Sequence, residues 1–517
     1  MSSAVAAVLR RLADTYVDSV LLLAATRAMQ EVEGVTWATA VMATPANLEA
    51  LEDQGVTGPE LSGAAANDLV LAVRAGDAAA ADRALDGGTS AVRGQRSGAG
   101  EPGPVPAARD LALAARELPG ANIAIVSVPG AYAALEAHKA LSAGLDVLLF
   151  SDNVPVDEEV ELKRRAAEVG HLVMGPGAGT AVLGGCGLGF ANRVRPGRVG
   201  VVAAAGTGAQ EVMSLLDQWG EGISQVIGVG GRDLSSAVGG AMATLAVQAL
   251  DADPATEVIL LVSKPPAPDV ARRVASAAVA TPLVAGMVGW PAGTALAGAA
   301  AVRSTLEGAA LSTLEVLGQP PPRPDSALAA SVRRAIEHLP PSRTLVRGLY
   351  SGGTLCYEAL SLLEPALGPV WSNTPLDPRY RVPAPADAHV CLDLGEEEYT
   401  QGRPHPMIDP EARLDELEAL RTAGDVAAVV LDVVLGYGAH PDPAAVLAPV
   451  CAELTGPGGP CVVVYVLGTE GDPQGLARQR AALVEAGCIV APTGARAALA
   501  AAAIATRDPM LVEQTVP

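Results

Sequence analysis

The stretch AGTGAQEVMSLL, residues 205–216, returns as GGTLCYEALSLL, residues 352–363. Both carry Gly-Thr, a Glu four residues after the Thr, and a Ser-Leu-Leu tail. Each follows an apolar run, VGVVAAA before the first and TLVRGLYS before the second. An apolar run, a glycine turn and an amphipathic start read as strand, turn and helix. Working outward, both repeats open a series of strands alternating with helices. Around 225–230, 257–263 and 282–288 lie three further apolar runs of the first series. HVCLDLG, VAAVVLDVVLGYG, CVVVYVLGT and CIVAPTG supply the second. Such alternation predicts parallel, helix-covered sheets, and the shared order predicts an internal duplication.

The rest of the chain fits an α/β protein built in modules. Residues 1–85 alternate short apolar runs with helical patterns and predict a small α+β domain. Residues 86–107, rich in Gly, Pro and Ser, predict a linker. Residues 108–195 predict a Rossmann-like domain, with strands NIAIVSVPG, DVLLFSDN and HLVMGPG. The two repeats then occupy 196–318 and 343–517 as flavodoxin-like domains. A second linker at 319–342 opens with QPPPRP.

Composition narrows the function classes. Half of the 517 residues are hydrophobic but only 3% are aromatic, so the cores are Ala, Val and Leu. That is the filling of parallel sheets covered on both faces. A net charge of −22 argues against a basic nucleic-acid face. An anionic small-molecule substrate must then be held by local dipoles against the overall field. Six scattered Cys without C-x-x-C pairs or zinc-like His spacing predict free thiols in a cytoplasmic protein and no metal centre. The charged N-terminal stretch predicts no signal peptide, and the apolar runs predict no membrane span.

A helix starting just after a strand and a glycine turn presents unpaired N–H groups and the positive end of its dipole. Gly206, Gly208 and Gly353 allow close backbone approach to a ligand. Thr207 and Thr354 can cap the helix or bind an oxygen. One helix end contributes roughly 0.3–2 kcal/mol to an anion, so two converging ends are needed for a phosphate site. The same residues also have structural explanations. Thr207-x-x-Gln210 reads as a capping box, and Glu211 and Glu358, one turn into each helix, read either as catalytic carboxylates or as ordinary pairs. His405, between prolines in GRPHPMIDP, is a candidate acid or base near pH 7, with Arg403 as an anion contact. Arg232, after two glycines at a strand end, is a candidate carboxylate or phosphate fork, or one half of a pair with Asp233. His440, Asp442 and Lys264 also fall at strand ends. His138 and Lys139 read as surface residues.

These motifs resemble a known family. GRVGVVAAAGTGAQE, VIGVGGRDLSS and ATEVILLVSKPPAP are similar to the second domain of the succinyl-CoA synthetase α subunit. GLYSGGTLCYEAL, LDLG and VVLDVVLGYGAHPDP are similar to the carboxy-terminal domain of its β subunit. Over nearly its whole length the chain resembles the FdrA family, which carries both pieces in one polypeptide. MATPAN, VSVPGAYAALEAHKAL, LLFSDNVPVDEEVELK, YTQGRPHPMIDP and GTEGDPQ are among the matching stretches. The ligase resemblance implies two helix starts that hold the phosphate of a phosphohistidine. The stretch corresponding to that histidine, GMVGWPAGTALAGAA at 286–300, contains no His. No ATP-grasp domain, G-x-x-x-x-G-K-[ST] loop or clear CoA loop is present either. The FdrA resemblance implies a subunit of an oxamate-carbamoyltransferase-like enzyme that binds an acyl phosphate such as carbamoyl phosphate and works with partner proteins. Two alternatives stand beside it. One is a component of an NDP-forming acyl-CoA synthetase, with CoA and ADP or ATP with Mg as cofactors. The other is a non-catalytic scaffold or sensor. A homo-oligomer is compatible with all three.

Overall fold

A computed structural model describes residues 7–94 and 108–516, apart from 16, 18, 109, 292, 323–325 and 401–403. The described residues fall into two compact units. The first contains β1 (Val8–Leu12), α1 (Ser19–Gln30), β2 (Val35–Met42), α2 (Pro45–Asp53), β3 (Leu69–Ala75) and α3 (Ala78–Gly94). Its sheet is antiparallel with β3 in the middle, so β3 is nearly all apolar and buried. Helix α3 runs through Gly94 and takes the start of the linker expected at 86–107. The remainder of that linker lies outside the described residues.

The second unit opens with α4 (Leu111–Glu117), β4 (Ile123–Val126), α5 (Gly130–Ser142), β5 (Asp146–Leu149), α6 (Val156–Val169) and β6 (Val173–Met174). Strands β4, β5 and β6 form a parallel three-stranded sheet. A hairpin follows, β7 (Thr180–Leu183) and β8 (Cys186–Gly189), turned by Gly184 and Gly185 at φ +56 and +78. Positive φ at both central residues is the turn that matches strand twist, and glycine supplies it without strain. Strand β7 pairs with the next sheet, so 180–189 belong to the first repeat although the sequence places them in the 108–195 domain.

The first repeat contains β9 (Pro196–Ala204), α7 (Gly206–Gln218), β10 (Ile223–Gly228), α8 (Ala241–Ala252), β11 (Val258–Ser263), α9 (Pro268–Ala275), β12 (Leu283–Met287), β13 (Ala301–Arg303) and α10 (Leu306–Val316). The second contains α11 (Ser326–His338), β14 (Leu345–Tyr350), α12 (Gly353–Leu367), β15 (Val370–Trp371), β16 (His389–Asp393), α13 (Glu397–Thr400) and α14 (Glu411–Ala419). It continues with β17 (Val426–Val434), α15 (Pro443–Leu454), β18 (Cys461–Leu467), α16 (Leu476–Glu485), β19 (Ile489–Ala491) and α17 (Gly494–Thr506). Helix α11 occupies much of the linker expected at 319–342.

The sheets run β13-β12-β11-β9-β10-β7-β8 and β15-β16-β14-β17-β18-β19. With the added hairpin and the edge strand β15 set aside, both follow the flavodoxin-like order, in which the first strand lies between the second and third. Ligands in such sheets bind at the carboxyl ends, where the strand order reverses. In both repeats that point falls beside the first strand, just ahead of α7 and α12. The central strands are buried on both faces and therefore read as unbroken apolar runs. Throughout β17, Val426–Val434, Asp432 is the single charged residue, and every position is buried. One core cluster joins β9, β11, α7 and α10 of the first repeat to β14, β17, α12 and α17 of the second. The Ala-rich α17 suits this position because small side chains let helix and sheet approach closely and alanine has the best helix propensity. Among the described residues, no helix is long and apolar enough to cross a membrane.

Candidate functional site

The two glycine turns meet. Thr207 Oγ1 accepts the backbone N–H of Thr354 at 3.3 Å. A Cβ on Gly352 would stand 2.8 Å from Thr207 Cγ2, and one on Gly208 3.1 Å from Thr354 Cγ2. Glycine is therefore required where the helix starts touch. The capping box does not form. Ala205 is the N-cap of α7 and gives no side-chain bond, and Gln210 donates to Asn192 Oδ1 at 3.3 Å. Thr207 caps the opposite helix in place of its own.

The turns differ in one respect: a carboxylate sits against the residues that precede the second. At the second turn, Asp432 accepts Ser351 N–H (2.7 Å), Ser351 Oγ–H (2.9 Å) and Gly352 N–H (2.8 Å). The buried Arg413 lies behind it, donating to the Asp432 carbonyl and, at 3.3 Å, to Oδ1. At the first turn, the N–H groups of Gly206, Thr207 and Gly208 donate to no acceptor among the described residues; of the corresponding groups at the second, Thr354 donates to Thr207 and those of Gly353 and Leu355 donate to none. Gly206 is exposed, and its Cα faces open space. Lys264, just past β11, brings Nζ 3.3 Å from the point where a Cβ on Gly353 would stand. An anion therefore meets free donors at the first turn, and the Lys264 ammonium stands at the start of α12. Charge-assisted hydrogen bonds there contribute about 1.5–3 kcal/mol each.

Glu211 and Glu358 do not open onto this surface. Both are buried in the contact between the repeats. Glu211 Oε1 accepts Gly494 N–H (3.3 Å), the first residue of α17, and Glu358 Oε1 accepts Leu306 N–H (2.6 Å), the first residue of α10. Each repeat thus caps the last helix of the other. Among the described residues the second oxygen of Glu358 meets no well-formed hydrogen-bond donor, and that of Glu211 has only the Tyr465 hydroxyl beside it, at a geometry short of a full hydrogen bond. Burial pushes both carboxyls up to about 8, and Glu211 further raises Glu358.

The Asp393 carboxyl lies between the second turn and His405. Oδ1 accepts Gly395 N–H at 3.0 Å, and Oδ2 stands 2.3 Å from the Cβ position of Gly353. On the other side, His405 Nε2 lies 2.7 Å, and Asp393 Oδ1 3.2 Å, from the Cβ position of Gly395. His405 thus sits where the sequence places it, but its ionisation differs from the expected acid or base near pH 7. Burial, with Arg413 nearby, lowers it to about 4. Asp393 is raised by burial to about 7, with Lys264 opposing. Sequence reasoning passed over Asp393. The signal available was a lone carboxylate closing the apolar strand HVCLD, beside the Gly-Thr turn in sheet order.

The remaining candidates have structural partners. Arg232 pairs with the buried Glu159 at 2.8 Å and donates to the Val154 carbonyl at 2.8 Å. Its neighbour Asp233 pairs with the buried Lys163 at 2.9 Å and caps Ala243 N–H at the start of α8. Asp442 caps α15 and pairs with Arg478 at 2.5 Å, while His440 Nδ1 accepts Asp442 N–H. His138 meets Arg165, and Lys139 meets Glu136. Arg403 lies outside the described residues.

Residues 349–504 match the CoA-ligase family, and residues 6–104 match the AllF, heavy metal-associated domain. The latter description implies a metal, which the residues present do not fit. Residues 6–104 contain neither Cys nor His, and the thioethers of Met29 and Met42 are packed in the core, so no thiolate or imidazole is present to hold such an ion. Among the described residues no cluster of three or more His, Cys, Asp or Glu is arranged to hold an ion. The chain is 37% identical over 520 residues to the uncharacterized protein YahF of Escherichia coli, covering 94% of this chain and 96% of that one. It is 31% identical over 156 residues to the ADP-forming succinate–CoA ligase subunit alpha 2 of Archaeoglobus fulgidus, covering 29% and 54%. It is 27% identical over 220 residues to SauD, an ADP-forming sulfoacetate-CoA ligase subunit of Bilophila wadsworthia, covering 40% and 74%. The chain thus spans about half of the succinate ligase subunit and nearly all of YahF. With a full-length relative and a CoA-ligase region around its second glycine turn, the chain belongs to the acyl-CoA synthetase-like family that includes YahF.

Proposed function

We propose that this protein is the acyl-transferring component of an NDP-forming acyl-CoA synthetase-like enzyme. It binds phosphate or an acyl phosphate at the first glycine turn, and a partner subunit supplies the nucleotide site. The observation that carries this reading is the row of three free N–H groups at Gly206–Gly208, braced against the second turn by Thr207, with the Lys264 ammonium beside Gly353 of that second turn. In a chain of net charge −22, such local donors are what an anion requires. The ligase subunits similar to this chain support the CoA side of the reading, and their subunit names support a partner. Carbamoyl phosphate, implied by the FdrA resemblance, enters as one acyl phosphate to be compared with others, and nothing in the named relatives bears on it.

Calorimetric titration of the purified chain with inorganic phosphate, acetyl phosphate, carbamoyl phosphate, CoA and ADP tests the proposal. Phosphate or acyl-phosphate binding that weakens at least tenfold in Lys264→Met supports it. Silence toward every anion, alone and with a nucleotide-binding partner added, overturns it.

A further inference from the structure

Anion binding at the glycine turns leaves Asp393 without a task. Its surroundings are specific. The side chain is 2% exposed, and Oδ2 accepts no hydrogen bond among the described residues while it points at the first residue of α12. Glycines stand on both sides: a Cβ at Gly353 would lie 2.3 Å from Oδ2, and one at Gly395 3.2 Å from Oδ1. Any other residue at either place would press on the carboxyl. Beyond Gly353 stands Lys264 Nζ, and beyond Gly395 stands His405 Nε2. His405 Nδ1 accepts Met407 N–H at 3.2 Å, so in the neutral ring the proton is on Nε2, the nitrogen turned toward Asp393. The carboxyl therefore has Lys264 near one oxygen and His405 near the other, with Oδ2 free at the start of α12, the helix whose Thr354 N–H meets Thr207 of the first turn.

We propose that Asp393 is the proton acceptor of this site, removing the S–H proton of a thiol as the sulfur attacks the acyl carbon of an acyl phosphate held at the first turn. This rests on the function proposed above. In the step a carbon–sulfur bond forms and the carbon–oxygen bond to phosphorus breaks. Phosphate leaves with the bonding pair and remains on the Gly206–Gly208 N–H groups. The thiol proton rests on Asp393 Oδ2 and passes to solvent when products depart. Lys264 balances the charge of Asp393, the Gly395 N–H orients the carboxyl through Oδ1, and His405, neutral, stands near without adding charge. The charged groups facing Asp393 are Lys264, Glu396 and Asp432. Lys264 favours the ionised carboxylate, and the two acids oppose it.

The experiment measures thioester formation and phosphate release from acetyl, carbamoyl and succinyl phosphates with CoA, between pH 5.5 and 9, using the full chain. The wild-type rate should rise along an acid limb near pH 7. In Asp393→Asn it should fall by about 10²–10⁴-fold, the usual contribution of a positioned base. The limb should then follow only the thiol itself, near about 8.5, with phosphate affinity within threefold of wild type. In Lys264→Met the limb should move upward in pH, because the carboxyl loses its neighbouring cation. A role in packing alone would not move it. If D393N retains the limb near pH 7 and a rate within threefold, the assignment falls and the acyl-transfer reading stands. If wild type forms no thioester from any of the three donors, both fall. If D393N does not fold, K264M decides alone, and an unmoved limb overturns the assignment.

Discussion

Thr207 Oγ1 accepts the N–H of Thr354 at 3.3 Å, so a hydroxyl from one repeat closes the helix of the other. Both residues are buried, so no water can replace the lost partner cheaply. Thr207→Val keeps the shape and removes the acceptor. A buried N–H left unpaired costs about 1–3 kcal/mol. Thermal unfolding should show the valine variant clearly less stable and Thr207→Ser close to wild type. Equal Tm values for the two would mean that the bond contributes nothing.

Gly206 and Gly353 occupy equivalent places in the repeat but face different surroundings. A methyl at Gly206 meets nothing within 4 Å, while one at Gly353 would lie 2.3 Å from Asp393 Oδ2. Gly206→Ala should leave stability within about 0.5 kcal/mol, whereas Gly353→Ala should cost about 1–3 kcal/mol, as overpacking does. Denaturant titration of both variants checks the contrast. Equal losses would mean that the turns are interchangeable.

The carboxyl pair makes the contact between the repeats sensitive to alkali. Glu211 and Glu358 are held near 8 in the folded chain against an ordinary 4.5. The folded state thus binds protons that the unfolded state has released. The stability they contribute is complete below pH 4.5 and is lost as pH rises toward 8, by up to about 1.4 kcal/mol per unit and group. His405 acts in the opposite sense, because its folded value near 4 lies below the usual 6.5; its contribution is lost as pH falls from 6.5 to 4. Glu358→Gln retains an acceptor for Leu306 N–H and removes the ionisation. Unfolding free energies between pH 6 and 9 should therefore fall less steeply in Glu358→Gln than in wild type. Parallel curves would show that the pair does not ionise in this range.

Much of the architecture is legible in the residues. Short apolar runs rich in β-branched residues, such as VAAVVLDVV with its one Asp, read as doubly covered strands, and the repeated Gly-Thr turn places both helix starts. The hairpin at 180–189 was harder to read, because its strands are four residues long and its Gly-Gly turn resembles any loop. Helix α11 was hidden by the prolines before it. At the site, the Gly-Thr residues and His405 could be named from local pattern. Asp393, Asp432 and Arg413 could not, since their importance comes from sheet order, which brings β16 and β17 to either side of β14. The burial of Glu211 and Glu358 depends on the repeats packing face to face, which no local pattern records.

Asp432 and Arg413 decide whether the second turn can also bind an anion. The carboxylate occupies the Ser351 and Gly352 N–H groups, and Arg413, 1% exposed, has that aspartate as its acidic partner at 3.3 Å. Asp432→Asn leaves the guanidinium buried without a counter-charge, which costs about 3–5 kcal/mol. Replacing both, Asp432→Asn with Arg413→Met, removes the stranded charge and should recover most of that loss. The double variant also takes the negative charge away from the second turn, so its phosphate affinity should rise by severalfold over wild type. Recovery of stability without a gain in affinity would mean that the second turn is closed by its geometry. No recovery would mean that Arg413 supports the loop through its stem and its bond to the Asp432 carbonyl, with the ion pair secondary.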